Sequence, residues 1–209
     1  KVLDVGCGKG LLVKAFQELN VEAWGVDVSD YAISKAPETT RRFLKLVDVE
    51  EESLPFDDGS FDLITSLDVL EHLASHERVL REIWRVLKEG GHVFVYTPFP
   101  EHPFAYDDQT HISVKSKAEW VHLFRNFGFS ESNNMKKKII EASPNLWEYV
   151  KRRRRGIELS SPVHLFGHIL ERMRASKLRG LMGSLLEFRN WIKYLDDSLV
   201  FEKIKLTYS

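Results

Sequence analysis

The chain has 209 residues and a mass of 24.3 kDa, with 43 % hydrophobic and 29 % charged residues, enough for one large domain or a domain with an appendage. That composition excludes a disordered or collagen-like chain; the single cysteine, Cys7, excludes a disulfide scaffold and a zinc site built from several cysteines and fits a reducing cytoplasm; and no apolar run approaches the ~20 residues of a membrane span. The net charge of −1 conceals an asymmetry, since residues 1–110 carry 11 Lys/Arg against 21 Asp/Glu and residues 111–209 carry 19 against 10, so an anionic partner should meet the second half.

Short apolar runs alternate with helical patterns through the first half, the signature of βαβ units around a parallel sheet. Val2–Val5 is the first strand and ends in a glycine-rich turn, and Leu11–Leu19 reads as a helix. Ala23–Val28 is a second strand, followed by a helix opening at Ser29-Asp30. Phe43–Val49 and Phe61–Ser66 are the third and fourth strands. Val79, Leu80, Ile83, Val86 and Leu87 recur at helical spacing and stop at Gly90-Gly91, before a fifth strand, His92–Tyr96. A long loop rich in aromatics and histidine follows, and Ser116-Lys117-Ala118-Glu119 is a capping box opening a helix that Gly128 ends.

Beyond Ser130 a strand is expected near Met135–Ile140, then helices starting at Ser143-Pro144 and Ser161-Pro162. Apolar residues line helical faces between 163 and 195, and Lys151–Arg155 is a run of five basic residues. The end of the chain alternates Ile204, Leu206 and Tyr208 with Lys203, Lys205 and Thr207, which reads as a half-buried strand.

Val2–Val5 runs into Gly6-Cys7-Gly8-Lys9-Gly10 and then a helix, a turn that lets a ligand approach the backbone. Asp27 ends the next strand ~20 residues on, where a carboxylate can hold the two hydroxyls of a ribose. Two features oppose a dinucleotide. The third glycine comes one residue early, and the negative charge of Asp4 would repel a pyrophosphate while suiting an ammonium or sulfonium. A cationic nucleoside is the better ligand.

This segment resembles motif I of the class I S-adenosylmethionine-dependent methyltransferases, and further matches follow in order. Val26-Asp27-Val28 resembles the ribose-binding strand end, and Val47-Asp48-Val49-Glu50 the segment flanking the adenine. Leu54–Ile64 followed by Leu70-Glu71-His72-Leu73 looks like the small-molecule subgroup that contains ubiquinone-type methyltransferases, and Leu87–Gly91 is similar to the next family motif. The resemblance spans residues 1–129. It implies a Rossmann-like α/β fold with a seven-stranded, mostly parallel sheet, helices on both faces, and the cofactor at the carboxyl ends of the strands. It also implies S-adenosylmethionine as cofactor, S-adenosylhomocysteine as product, and Asp4, Gly6, Cys7, Gly8, Gly10, Asp27, Val28, Asp48, Val49, Leu67 and Asp68 as cofactor-binding residues.

Two departures stand out. The helices that normally precede motif I are absent, as expected of a chain that has lost its natural start, and the stretch between the sixth and seventh strands is long. The expected organisation is a core of residues 1–140 plus 198–209, with residues 141–197 a basic helical insertion serving as a lid or a substrate or partner element.

Asp108-Gln109-Thr110-His111 resembles a segment of the same subgroup and makes His111 the first choice for a base or substrate contact, with His72 second and His102 and Tyr106 third. Either histidine could instead cap or pack a neighbouring helix. Asp107 and Asp108 have no further ligand spaced to join them, so a turn is expected there and no metal site. The function expected is methyl transfer to a small molecule, most readily at oxygen. The alternatives are RNA methylation through the basic run and a non-catalytic cofactor-binding module serving a partner or a membrane.

Overall fold

The computed structural model describes residues 1–101, 105–142 and 199–204, with the backbone alone for 138–142. His102, Lys151–Arg155, the helices expected from Ser143 and Ser161, the apolar faces of 163–195, and Leu206 and Tyr208 lie outside the described residues.

β1 (Val2–Val5) is buried at all four positions, so both faces of its sheet are covered. Leu3 and Val5 pack in one cluster with Val79, Leu80, Ile83 and Trp120, while Val2 packs in a second with Val13 and Ala23. Strand alternation puts Asp4 on the Val2 side.

From β1 the chain passes the glycine turn into α1 (Leu11–Glu18), then β2 (Ala23–Asp27) and α2 (Asp30–Ser34). The Ser29 hydroxyl caps α2 by accepting the Ala32 amide at 3.1 Å, as its residue type predicts. α3 (Glu38–Arg41), β3 (Leu44–Leu46) and β4 (Phe61–Leu67) follow, then a 3₁₀ turn over Leu70–His72 and α4 (Glu77–Val86). β5 (Leu87–Tyr96), α5 (Lys117–Asn126), β6 (Phe129–Glu131), α6 (Asn133–Ala142) and β7 (Leu199–Lys203) complete the described elements. The capping box at Ser116 forms as read, with both reciprocal bonds to Glu119 present.

The sheet has seven strands in the order β3-β2-β1-β4-β5-β7-β6. The first five run parallel, and β7 is antiparallel to both β5 and β6. The expected seven-stranded, mostly parallel Rossmann-like architecture is therefore present. The chain leaves β1 toward β2 and β3 and returns on the other side as β4, so the topological switch point lies between the carboxyl ends of β1 and β4. The chain divides into two units, Lys1–Ser132 with Leu199–Ser209, and Asn133–Ser198. All seven strands belong to the first, and α6 is the described element of the second.

Details differ from the sequence reading, and β3 keeps only Leu44–Leu46 of the expected Phe43–Val49. Leu87, expected to end a helix, is already extended and pairs with Phe61, while His92 pairs with Leu63, so Lys88–Gly91 forms an irregularity within β5 rather than a turn before it. Residues 135–140, expected as a strand, lie in α6, because a run of Met, Lys, Glu and Ala favours helix and the sheet takes only the three residues of β6.

The last strand begins at Leu199, four residues before the expected alternation, and Lys203, read as a solvent-facing residue, is buried. Its Nζ donates to the carbonyls of Trp84 and Leu87, both at 2.8 Å, and sits 3.8 Å from the Trp84 ring centroid. A cation at the carbonyl end of α4 is well placed against the helix dipole. Phe201 of β7 stacks on Phe124 of α5 at 3.9 Å.

Arg85 of α4 holds the segment leading into β4. Its guanidinium donates to the carbonyls of Leu54 and Phe56 at 2.8 Å each, to Asp58 at 2.7 Å, and to Glu82, whose carboxylate also accepts the Leu54 amide at 2.7 Å. Replacing Arg85 with Met should lower unfolding stability by about 2–3 kcal/mol, because Glu82 and two carbonyls lose their partner together. Lys at that position should restore little, since it lacks the planar fork. Urea unfolding of the three proteins measures both.

Candidate cofactor and active site

At the switch point the chain turns on glycines. Gly6 has φ +78°, and a Cβ there would meet Val69 Cγ2 at 2.1 Å, so the end of β1 packs its bare backbone against the residue after Asp68. Gly8 has φ +51° and nothing within 4 Å of a built Cβ, which leaves the tip of the loop open to a ligand. Gly10 caps α1 and lies against Leu44. The Gly6 and Cys7 amides both donate to the Val26 carbonyl, at 2.9 and 3.0 Å, tying the loop to the end of β2.

The Gly8 amide donates to Asp27 Oδ2 at 2.6 Å, and the Ser29 amide donates to Oδ1 at 2.8 Å. A carboxylate has about four acceptor positions, so each oxygen keeps one for an incoming hydroxyl. Val28 beside it is 66 % exposed. Val47 donates its amide to the Asp27 carbonyl at 2.9 Å, which brings the end of β3 to the same rim. Asp48 there accepts the Glu50 amide on Oδ1 at 3.0 Å, and Val49 packs against the main core.

Asp4 lies beneath this rim, buried, and accepts the Thr65 hydroxyl at 2.7 Å. Burial, opposed in part by that bond and reinforced by the charge of Asp27, pushes its carboxyl from the ordinary 3.8 to about 7. Burial and the two carboxylates also push the Cys7 thiol up, so Cys7 is an inert packing residue at neutral pH rather than a nucleophile. The paired carboxylates of Asp4 and Asp27 beside an open glycine tip fit a hydroxyl-bearing cation and oppose a phosphate.

The second half of the site follows β4. Leu67 pairs with Tyr96 at the strand end, and Asp68 holds φ +50°, a left-handed conformation unusual outside glycine, with its amide donating to the Tyr96 carbonyl at 3.0 Å. The 3₁₀ turn comes next. His76 braces it by a 2.8 Å bond from its ring to the Leu70 carbonyl, and the Ser113 amide donates to the Glu71 carbonyl at 2.9 Å, joining the turn to the loop before α5.

That junction brings His72 and His111 together, with ring centroids 4.8 Å apart. His72 Nδ1 lies 3.1 Å from the Thr110 carbonyl and 2.9 Å from its hydroxyl, which itself donates to Asp108 at 2.6 Å. His111 Nδ1 lies 2.8 Å from the Ala105 carbonyl. A carbonyl can only accept, so each neutral ring carries its proton on Nδ1 and leaves Nε2 as an acceptor.

Thus the structure joins the expected Asp4, Gly6, Cys7, Gly8, Gly10, Asp27 and Val28 around one loop, and the expected His72 and His111 in one pair. Asp107 and Asp108 form a turn, as read, through the Thr110 amide bond to Asp108 at 2.8 Å. Tyr106 is 66 % exposed. The sequence reading missed Glu71. It is fully buried beside Thr97 and Asp68, and burial with the nearby Asp68 charge pushes it up to about 8. The signal available was a charged pair, Glu71-His72, set between two buried leucines, Leu70 and Leu73.

Because the folded pKa of Asp4 lies above its unfolded one, its contribution to stability is greatest below about pH 4 and is lost as pH rises through about 7. Asp4→Asn, which keeps an acceptor for Thr65, should therefore help the fold more at pH 8 than at pH 5, by on the order of 2–3 kcal/mol. Thermal unfolding at the two pH values checks the sign.

Comparison with known proteins agrees with this geometry. Residues 3–95 match the family described as "Methyltransferase domain". The uncharacterized methyltransferase YcgJ of Bacillus subtilis is 33 % identical over 138 residues, covering 59 % of this chain and 54 % of that protein. A ubiquinone biosynthesis O-methyltransferase of Thiobacillus denitrificans is 36 % identical over 101 residues, covering 46 % of this chain and 44 % of that protein. The crystal structure of YcgJ superposes with a TM-score of 0.54 at 28 % identity, covering 63 % of this chain and 62 % of that one. The chain spans about half the length of the curated relatives it matches. Ordered motifs, sheet order and these likenesses converge: the sheet domain carries the methyltransferase-domain match over residues 3–95 and resembles the class I S-adenosylmethionine-dependent methyltransferases.

Proposed function

We propose that the protein transfers a methyl group from S-adenosylmethionine to an oxygen of a small molecule. The observation that carries this reading is the Asp27 carboxylate, oriented by the Gly8 and Ser29 amides with acceptor capacity to spare, at the open tip of a glycine loop. Bound there, the donor supplies a methyl group on a sulfonium, which leaves by in-line displacement.

In this reading Asp27 holds the ribose hydroxyls, Val28 and Val49 flank the adenine, and the second oxygen of Asp48 accepts its amino group. Leu67 and Asp68 border the methionine portion, and Asp4 contributes negative charge beneath the loop. Holding nucleophile, methyl and sulfur in line contributes on the order of 7–11 kcal/mol. His111 and, second to it, His72 stand on the acceptor side with a lone pair on Nε2, available to the acceptor's hydroxyl. The names of the ubiquinone biosynthesis relatives support an oxygen acceptor. A single free, buried cysteine suits a cytoplasmic setting, and among the described residues no helix is long and apolar enough to cross a membrane.

Calorimetry with S-adenosylhomocysteine should give a saturable signal that weakens by roughly tenfold or more in Asp27→Ala, a loss of at least about 1.4 kcal/mol. Absence of binding, or equal binding by the variant, would sink the donor assignment. With an acceptor in hand, His111→Ala should lower kcat/KM by roughly 10²–10⁴-fold while leaving nucleoside affinity within a factor of about two.

A further inference from the structure

A side chain without a part in the chemistry so far runs between the nucleoside rim and the acceptor side. Glu50 belongs to the turn after β3, where its amide donates to Asp48 Oδ1 at 3.0 Å. Its own carboxylate crosses to a segment 25 residues further on and accepts the Ser75 amide on Oε1 at 2.9 Å. Ser75 lies between the 3₁₀ turn of Leu70–His72 and α4. We propose that Glu50 is a positioning residue that ties the nucleoside rim to the turn carrying His72, so that filling the donor site orders the histidine pair and the donor binds before the acceptor. This order rests on the methyl-transfer reading.

The way the turn is held carries the inference. From beneath, it is braced by a buried bond between His76 Nε2 and the Leu70 carbonyl at 2.8 Å, with the His76 ring set edge to face 5.0 Å from Trp120. Toward solvent it is held by exposed bonds, with Glu50 on the Ser75 side and Thr110 on the His72 side. Bonds that water can replace open at small free-energy cost, so the brace persists while the exposed tethers exchange.

Asp48 is fixed within its own turn, since its amide donates to Glu52 Oε1 at 3.1 Å and its carbonyl accepts the Glu51 and Glu52 amides. One carboxylate oxygen takes the Glu50 amide, and the other is the proposed acceptor for the adenine amino group. A bound nucleoside therefore fixes the carboxylate that orients Glu50. Ordering one tether lowers the entropic cost of ordering the next, and His72 then meets Thr110 and His111 in a single arrangement.

Support of α4 alone does not account for this reach. A carboxylate near the start of a helix is favourable, yet Glu77 already supplies an acid in the first turn, and Glu50 bonds the residue before the N-cap, His76. Burial holds the His76 ring below its ordinary range, and the Glu50 charge acts against that shift, so tether and brace meet at one short segment.

The test follows the histidine Cε1–H resonances of the full chain by NMR, assigned with His72→Gln and His111→Gln, as S-adenosylhomocysteine is added. Saturation should shift both resonances in the parent. In Glu50→Ala, calorimetry should still show saturable nucleoside binding while both resonances stay at their unliganded positions. Glu50→Gln, which keeps an acceptor oxygen for the Ser75 amide, should restore the response. Glu51→Ala, which takes the same charge from an exposed neighbour, should respond as the parent does. Resonances that respond equally in Glu50→Ala, or that Glu51→Ala silences as well, overturn the proposal. Loss of nucleoside binding in Glu50→Ala overturns it too, because the residue then belongs to the donor site itself. A parent that binds the nucleoside with silent histidines loses this inference alone, whereas a parent that binds none loses the donor reading with it.

Discussion

The site depends on one carboxylate placed where anion-binding loops keep open amides. A glycine turn running into a helix presents unpaired N–H groups that attract phosphates. Here the Gly8 amide is already bonded to Asp27, and Asp4 lies buried beneath the same loop. The chain thus fills its own anion site and reverses the sign of the cradle, so the loop selects hydroxyls and positive charge. Everything at the rim follows from that bond: it fixes the carboxylate's free edges, and Ser29, which shares the carboxylate, starts α2.

The arrangement has a cost. Asp4 and Glu71 are both carboxyl groups pushed well above their ordinary range by burial, one on each side of the switch point. Each would be easier to fold as an apolar residue. Groups of this kind cluster where a protein keeps a prepared charge for a ligand, and the strained backbone of Asp68 between them fits the same pattern.

Much of this was legible in the order of residues. β1 appears as read, and β2 and β4 to within a residue, because a strand buried on both faces is a continuous apolar run bounded by turn residues. The glycine loop, Asp27, the Ser29 cap and the Ser116 capping box rely on bonds between residues near one another or on consecutive strands. What was not legible depends on distant partners. Lys203 reads as a solvent-facing lysine until the carbonyl end of α4 is put beside it. The 135–140 segment alternates too weakly to declare its period, and helix propensity decides it. Glu71 and His111 are 40 residues apart in the numbering, and nothing local in either announces the other.

β7 is inserted between β5 and β6, although both of those precede it by more than sixty residues. On a ribosome, the open edge of β5, with Val93, Phe94 and Val95, therefore waits unpaired while the intervening stretch is synthesised. An apolar edge left open in this way invites pairing with another nascent chain. β7 is thus a late closure, and cells making this protein would need to shield that edge until residues 199–203 emerge.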